Sequence, residues 1–393
     1  MTRLSHQPWM DWPETKTLVR TFADANTEMR FVGGAVRDSL LLRPVHEVDI
    51  ATPATPDAVT VLLARAKIRA IPTGIEHGTV TALVGEKHFE ITTLRRDVAC
   101  DGRHAEVEYT TDWEADARRR DFTINALFAS PAGEVFDYCG GLKHLQPPRI
   151  VFIGDAGARI KEDALRILRF FRFSAQLGVH EYDADALAAC AENVTLIERL
   201  SGERTREEML KLLAAPALDK TLFTHLQRAG LPPHLLLPPP PAALTHAALD
   251  ADAPARLALW LMHGGDAKAL AKRWKFSGAQ QKTLQSLMHT AERLRNMPAV
   301  PQLKKLLRAE GVELFSRAAR IAWALDPSLE HFYAQALILA EHWHIPQFPV
   351  TGEDLLKHGY EEGKALGAAL KKLEAHWEAE DYQPTREELL KYL

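Results

Sequence analysis

Cysteine is scarce, with three in 393 residues, at Cys100, Cys139 and Cys190. They are far apart and odd in number, which excludes a disulfide framework and a thiolate metal site. They fit the reduced thiols of a cytoplasmic protein. No signal-peptide pattern and no apolar run of membrane-spanning length appears, so insertion into a bilayer is not expected. The 17 histidines form no HExxH pattern, which leaves a metallohydrolase without support. Charge of one sign is also missing. Lys+Arg number 48 and Asp+Glu 52, a net charge of −4. That excludes a uniformly basic coat for nucleic acid but not a local basic stripe. No internal repeat is evident. What remains is an ordinary globular composition, 46% hydrophobic and 25% charged, long enough for two or more domains.

The chain is organised around Phe31 to Thr52, FVGGAVRDSLLLRPVHEVDIAT. Gly33 and Gly34 let the backbone approach a ligand closely. Val36 to Leu42 reads as a helix that Pro44 stops. Glu47 and Asp49, two apart, read as one face of a strand. Two carboxylates there resist joint ionisation, and a hard divalent cation removes the conflict. Alone, an E-x-D pair is most often a solvated face and a GG pair a turn. In this order they resemble the signature of class II nucleotidyltransferases of the polymerase β type, the CCA-adding enzymes and bacterial poly(A) polymerases. The chain departs twice: Leu42 stands where that family usually has glycine, and Glu47 where it has the first aspartate.

Further along, Trp12 to Ala25 reads as a helix, and Thr55 caps a second over Pro56 to Ala66. Strand-like runs follow at Lys67 to Pro72, Thr79 to Val84 and His88 to Leu94. Glu90, in FEITTLRRD, comes near Glu47 and Asp49 if its strand lies beside theirs; otherwise it is an exposed strand glutamate. Arg95 to Trp113 is polar and reads as a mobile loop. Its DGRH run resembles the flexible loop of CCA-adding enzymes, which mildly favours full CCA addition over CC addition.

Three arginines, Arg118 to Arg120, can be a solvated helix face, but RRDFTxNA at Arg119 to Ala126 matches a family motif that handles the ribose. The resemblance gives Asp121 a ribose 2′-OH to accept and Arg120 a sugar or phosphate contact. Asp137-Tyr138-Cys139-Gly140-Gly141 is similar to the family's hinge element. In RIKEDALRILRFFRF, Asp163 and Arg166 are three apart and read as one helix face. They can be a plain ion pair. A fixed acceptor beside a fixed donor also suits the edges of C and A and mismatches U and G, leaving buried polar groups unpaired at about 1–3 kcal/mol each. EDxxR is the templating motif of the resembled family. Arg169 and Arg172 continue that face, to support Asp163 or to reach phosphate, and Leu200 to Leu213 resembles the family's neck helix, with Ser201 as its cap and Glu203, Arg204 and Glu207 read as architectural.

LPPHLLLPPPP at 231–241 reads as a stiff boundary. Helices follow, and between Asp266 and Arg320 there are 12 Lys/Arg against 4 Asp/Glu. That asymmetry suggests a phosphate-contacting RNA surface, with Lys272, Arg273 and Lys275 as contacts. Residues 351–367 carry TG-x-DL and spaced glycines similar to the tail of short bacterial CCA enzymes.

The expected fold is therefore α+β: a polymerase-β-type nucleotidyltransferase sheet, then all-α neck, body and tail. The expected boundaries are head 1–140, neck 141–230 with the base-templating helix, linker 231–242, RNA-binding body 243–345 and tail 346–393. The resemblance implies addition of C, C and A to the tRNA 3′ end from CTP and ATP. Glu47 and Asp49 would hold two Mg²⁺, with Glu90 nearby. Gly33, Gly34 and Arg37 would cradle the phosphates, Asp121 the sugar with Arg120 on sugar or phosphate, and Asp163 and Arg166 the base, with Arg169 supporting Asp163 or reaching phosphate and no membrane or protein partner. The rivals are a poly(A) polymerase, a CC-adding or A-adding partial enzyme, and, last, a non-catalytic RNA-binding protein.

Overall fold

Proline at the first helical position starts α1 (Pro13–Asp24), which buries Leu18 and Phe22 completely. Strand β1 (Arg30–Val32) follows and is buried throughout. Gly33 then turns the chain at φ +69 into α2 (Gly34–Leu40), a conformation that glycine adopts without strain. Next come β2 (Asp49–Thr52) and α3 (Pro56–Arg65), with the Thr55 hydroxyl accepting from the Ala58 N–H as its cap. Strands β3 (Arg69–Ile71), β4 (Thr79–Val84) and β5 (Lys87–Thr93) form antiparallel neighbours. The computed structural model describes residues 2–72, 74, 78–100, 105–216 and 218–393.

The segment from Arg95 is not the loop its polarity predicts. It forms β6 (Arg95–Cys100) and β7 (Ala105–Tyr109), paired antiparallel apart from the main sheet. The DGRH run itself lies outside the described residues. Helix α4 (Trp113–Arg118) follows, then β8 (Leu127–Ala129) and β9 (Val135–Asp137). Among the described residues seven strands form one sheet, in the order β3-β4-β5-β2-β1-β8-β9. Only β2 and β5 run parallel, with Ile50 opposite Ile91. The helix α3 supplies the crossover that such a pair needs.

The segment with the paired glycines after β9 is tied to the Asp137 carboxylate. The Asp137 carboxylate accepts from the backbone N–H groups of Cys139, Gly141 and Leu142. A Cβ on Gly141 would stand 2.2 Å from the Thr123 carbonyl oxygen, so only glycine fits. The helical part of this unit is α5 (Ala156–Glu162), α6 (Leu165–Leu177), α7 (Ala184–Glu192), α8 (Gly202–Leu213) and α9 (Lys220–Arg228). Helix α6 inserts Ile167, Leu168, Phe170 and Phe171 into the core, all fully buried. The first prolines of the Pro-rich stretch do not form an extended spacer. Leu231–His234 is a short helix, α10, with proline in its first turn, where a missing N–H costs nothing.

The chain divides into two compact units, Met1–Leu235 and Leu236–Leu393. The second is helical among its described residues, with α11 (Ala253–Leu261), α12 (Ala267–Arg273), α13 (Gly278–Arg295), α14 (Val300–Glu310), α15 (Val312–Leu325), α16 (Glu330–His342), α17 (Gly352–Lys357), α18 (Lys364–Ala379) and α19 (Arg386–Leu390). Trp260, Trp274, Phe315 and Tyr333 fill its core, and Val350, Leu355, Leu373, Trp377 and Leu389 form a cluster of their own. The glycines near α18 meet no close neighbour. Gly359 and Gly363 serve the backbone instead, at φ +87 and +142. No helix of the described residues is long and apolar enough to cross a membrane.

Candidate active site

The acidic side of the site is built by the sheet. Asp49 opens β2, and Ile50 lies opposite Ile91 on the parallel strand β5. That register puts Glu90 level with Asp49 and on the same face. Glu47 departs from expectation, because the strand begins only at Asp49 and Glu47 stands in the irregular approach to it, exposed. It still shares a cleft of about 680 Å³ with Asp49, Gly34, Arg37, Arg43 and Arg172. Burial, then the charge of Glu90, then that of Glu47 push the Asp49 carboxyl up to about 6, with Arg120 opposing them. These are hard oxygen donors under mutual repulsion, and they fit a divalent cation. Among the described residues no group of three or more His, Cys, Asp and Glu could hold a metal. A cation held here would take one or two carboxylates and complete its shell from ligand oxygens, the usual manner of Mg²⁺.

The basic side is a buried chain of contacts. Arg37 donates from Nε and Nη2 to Asp38 at 2.9 and 2.8 Å, and from Nη1 to Asn125 Oδ1 at 2.6 Å. Asn125 passes the contact on, donating from Nδ2 to Asp121 at 3.1 Å. The other Asp121 oxygen faces Arg169 Nε and Nη2, each at 2.6 Å. Its first oxygen also accepts from the Phe122 N–H at 2.8 Å. Burial works to raise the Asp121 carboxyl, but Arg169 and these donors outweigh it and hold it below the usual carboxylate range. A carboxylate has about four acceptor positions, and hydrogen bonds from the Phe122 N–H, Asn125 Nδ2 and Arg169 Nε fill three of them. Asp121 thus braces Arg169. Arg120 is held by Asp116 at 2.9 Å, and its Nη1 is the side-chain atom nearest to where a Cβ on Gly33 would be.

Asp163 and Arg166 do not share a helix face. The helix breaks at Asp163, which ends α5 at φ −151 and ψ 105, before α6 begins at Leu165. Asp163 Oδ1 accepts from the N–H of Leu165, the first residue of the new helix, at 3.1 Å, while Oδ2 accepts from Arg204 at 2.6 Å. Arg166 donates instead to Glu162 at 2.7 Å and to the Arg159 carbonyl at 2.6 Å. Among the described residues neither lines the cleft of Asp49. Arg169 is the link, since it binds Asp121 and also feels the charge of Asp163. The i,i+3 spacing missed the break because nothing in EDALR forbids a helix.

Three residues matter that sequence reasoning left in the background. Asn125 couples Arg37 to Asp121. Arg204, read as architectural, holds Asp163. Glu208 on α8 is buried and faces Arg172 Nε at 2.7 Å, in ion-pair contact without hydrogen-bond alignment, and Arg169 Nη1 at 3.8 Å. Asn125 was legible as part of RRDFTxNA; Glu208 had no local signal.

The predicted RNA contacts belong to the second unit. Lys272 and Lys275 are exposed and Arg273 is half-buried. The basic excess there is smaller than its count. Lys304, Lys305 and Arg308 pair with Asp381, Glu378 and Glu374, and Arg317 pairs with Asp252. All four acids lie outside the counted window.

Comparison with known proteins gives three family matches: "Poly A polymerase head domain" over residues 29–151, "Probable RNA and SrmB- binding site of polymerase A" over 182–241, and "tRNA nucleotidyltransferase domain 2 putative" over 251–393. Mitochondrial CCA tRNA nucleotidyltransferase 1 of Mus musculus is 36% identical over 96% of this chain and 89% of its own. A CCA-adding enzyme of Streptococcus pyogenes is 34% identical over 89% of each. The crystal structure of the Bacillus stearothermophilus CCA-adding enzyme in complex with CTP superposes with a TM-score of 0.80 at 25% identity, covering 98% of this chain and 97% of that one.

Proposed function

The chain belongs to the family of CCA-adding tRNA nucleotidyltransferases, and on that premise we propose that it adds C, C and A to the 3′ end of tRNA from CTP and ATP, releasing pyrophosphate. The observation that carries the reading is the cleft that Arg37 and the Glu47/Asp49 pair line together. It places fixed positive charge beside unneutralised carboxylates, an arrangement suited to a metal–triphosphate.

Glu47 and Asp49 would hold Mg²⁺, with Glu90 adding negative charge behind Asp49. Bound there, the cation supplies Lewis-acid charge to the attacking 3′ oxygen and to the departing pyrophosphate. Gly33 and Gly34 leave room beside the backbone for the phosphates. Arg37 is locked by Asp38 and Asn125, so its positive charge needs no reorganisation when substrate arrives. Arg120, braced by Asp116, lies close enough to Asp49 to stabilise its charge. Asp163 and Arg166 read the base by exchanging their present partners, Arg204 and Glu162, for its edge. Lys272, Arg273 and Lys275 contact RNA phosphates. The free thiols Cys139 and Cys190 suit a reducing cytoplasm.

The test is extension of a tRNA that lacks its terminal triplet. With CTP and ATP together, three residues are expected. A long ladder would instead mark a poly(A) polymerase. Arrest after two residues, or addition of A alone to a tRNA ending in CC, would mark a partial enzyme. No incorporation with any divalent cation would refute the reading.

A further inference from the structure

Arg159, on α5, joins two parts of the molecule that the sequence motifs leave separate. It is buried. Through Nη2 it donates to the backbone carbonyls of Arg119 and Arg120, the second at 2.8 Å. Those carbonyls lie in the segment that carries Arg120 and Asp121, 40 residues away in sequence. Through Nη1 it donates to Glu162 Oε2. The same oxygen accepts from Arg166 Nη1 at 2.7 Å, and that nitrogen also donates to the Arg159 carbonyl at 2.6 Å. One carboxylate oxygen thus holds two guanidiniums. One of them grips the backbone behind Arg120, and the other belongs to a base-reading residue. Two cations on one oxygen repel each other and divide its negative charge, so the departure of either strengthens the hold on the other.

We propose that Arg159 is a positioning residue that couples base recognition to the reacting end of the nucleotide. A matching base draws Arg166 off Glu162. Of the two guanidiniums on Oε2, that of Arg159 then remains, and its fixed fork presses on the Arg119 and Arg120 carbonyls. Arg120 is thereby held beside Gly33 and Asp49 for the transfer step. A mismatched base leaves Arg166 on Glu162, and Glu162 stays shared. Discrimination then enters through turnover as well as through binding, which is where differential stabilisation of the transition state appears. This rests on the nucleotidyl-transfer reading and on Arg166 exchanging Glu162 for the base edge. Arg159 is not among the described residues that line the Asp49 cleft, so it acts through Arg120 and Arg166 and not on the nucleotide. An arginine is needed, because its planar fork spans Glu162 and the carbonyls at once, which the single nitrogen of a lysine does not.

The test uses the full chain and a tRNA lacking its terminal triplet, with CTP as the matching nucleotide and UTP as the mismatched one. The rate of first-nucleotide addition at saturation and KM are measured for the wild type, Arg159→Gln and Arg159→Lys, with fold checked by thermal melting. For Arg159→Gln the CTP rate should fall about 10- to 100-fold with KM changed less than about threefold. The UTP rate should change less than about threefold, so that the preference for CTP shrinks with the CTP rate. Arg159→Lys should fall between the wild type and Arg159→Gln, and it carries the same comparison if the glutamine variant does not fold. An equal fall for CTP and UTP, with preference intact, marks a merely structural residue and overturns the proposal. A folded variant that adds C at the wild-type rate overturns it too. Wild-type protein that extends no tRNA sinks the functional reading and the coupling with it, whereas a wild type that extends tRNA beside an Arg159→Gln that keeps its preference sinks the coupling alone.

Discussion

The two acidic regions of the first unit treat their carboxylates in opposite ways. On the sheet, Asp49 faces Glu90 and Glu47, accepts no hydrogen bond from a described residue, and is pushed up to about 6. Among the helices, Asp121 is met by the Phe122 N–H, Asn125 and Arg169 and is held below its ordinary range. Both are largely buried, so burial alone does not separate them. The difference is whether the protein supplies the countercharge. Where it does, the result is a rigid brace that fixes arginines before substrate binds. Where it does not, the countercharge must come from outside, which is the condition of a cation site. Asp163 and Arg166 lie on the braced side, each with a protein partner that a base would have to replace.

Removing the unneutralised member should break catalysis most severely. Asp49→Ala is expected to lower nucleotide incorporation by at least roughly 1,000-fold, about 4 kcal/mol of barrier, while tRNA binding by filter assay persists. Turnover near the wild-type rate would refute the metal assignment. The braced side should fail differently. Asp121→Ala leaves the Arg169 guanidinium in a buried site without its carboxylate, and breaking such a pair costs about 3–5 kcal/mol. Denaturant unfolding measures it. A loss of activity without that loss of stability would return Asp121 to direct contact with substrate.

The same contrast gives the two aspartates opposite pH signatures. The Asp49 carboxyl is raised in the fold from 3.8 to about 6, so the native state binds its proton more tightly than the unfolded chain does. Its contribution is greatest below about pH 4 and is lost as pH rises through 6, to the extent of about 2–3 kcal/mol in metal-free protein. Divalent cation, or Asp49→Asn, should abolish that loss. The Asp121 carboxyl is depressed, so its contribution is present above about pH 4 and disappears as pH falls through its folded value. Melting curves of metal-free protein with and without Mg²⁺, taken from pH 4 to 8, check the first. If Mg²⁺ raises stability equally in Asp49→Asn, the cation binds elsewhere.

How much of this the sequence disclosed depends on how local the cause was. The GG turn, the Thr55 and Ser201 caps, and the strand carrying Glu90 followed from near neighbours, and the structure has them all. The parallel pairing that brings Glu90 to Asp49 was a conditional expectation, since strand order is a long-range property. What stayed hidden is mostly pairing across helices. Arg204 finds Asp163 over 41 residues, and Glu208 finds Arg172; no spacing rule links them. The break at Asp163 was hidden for a related reason, because tertiary contacts and not propensity decide it. The hairpin at Arg95–Tyr109 shows the same limit, for polar strands read as loops.

The smallest expected effect concerns the segment that joins the two kinds of region. Between α2, which carries Arg37, and β2, which carries Asp49, Leu42 sits at φ +54 and is 81% exposed. A left-handed conformation costs an ordinary L-residue about 1–2 kcal/mol, and this leucine buries little apolar surface in return. Glycine takes the conformation freely but gives the unfolded chain more entropy to lose. Leu42→Gly should therefore stabilise the protein by about 0.5–1 kcal/mol, a gain measurable by denaturant midpoint. Glu47 stands five residues on, in the same irregular approach to β2. If the strain only tightens that approach, incorporation should stay near wild type. If it holds Glu47 toward Asp49, relief should let Glu47 swing away, and the Mg²⁺ concentration needed for half-maximal activity should rise. A variant that is less stable than the wild type would show that Leu42 is held by contacts worth more than its backbone costs.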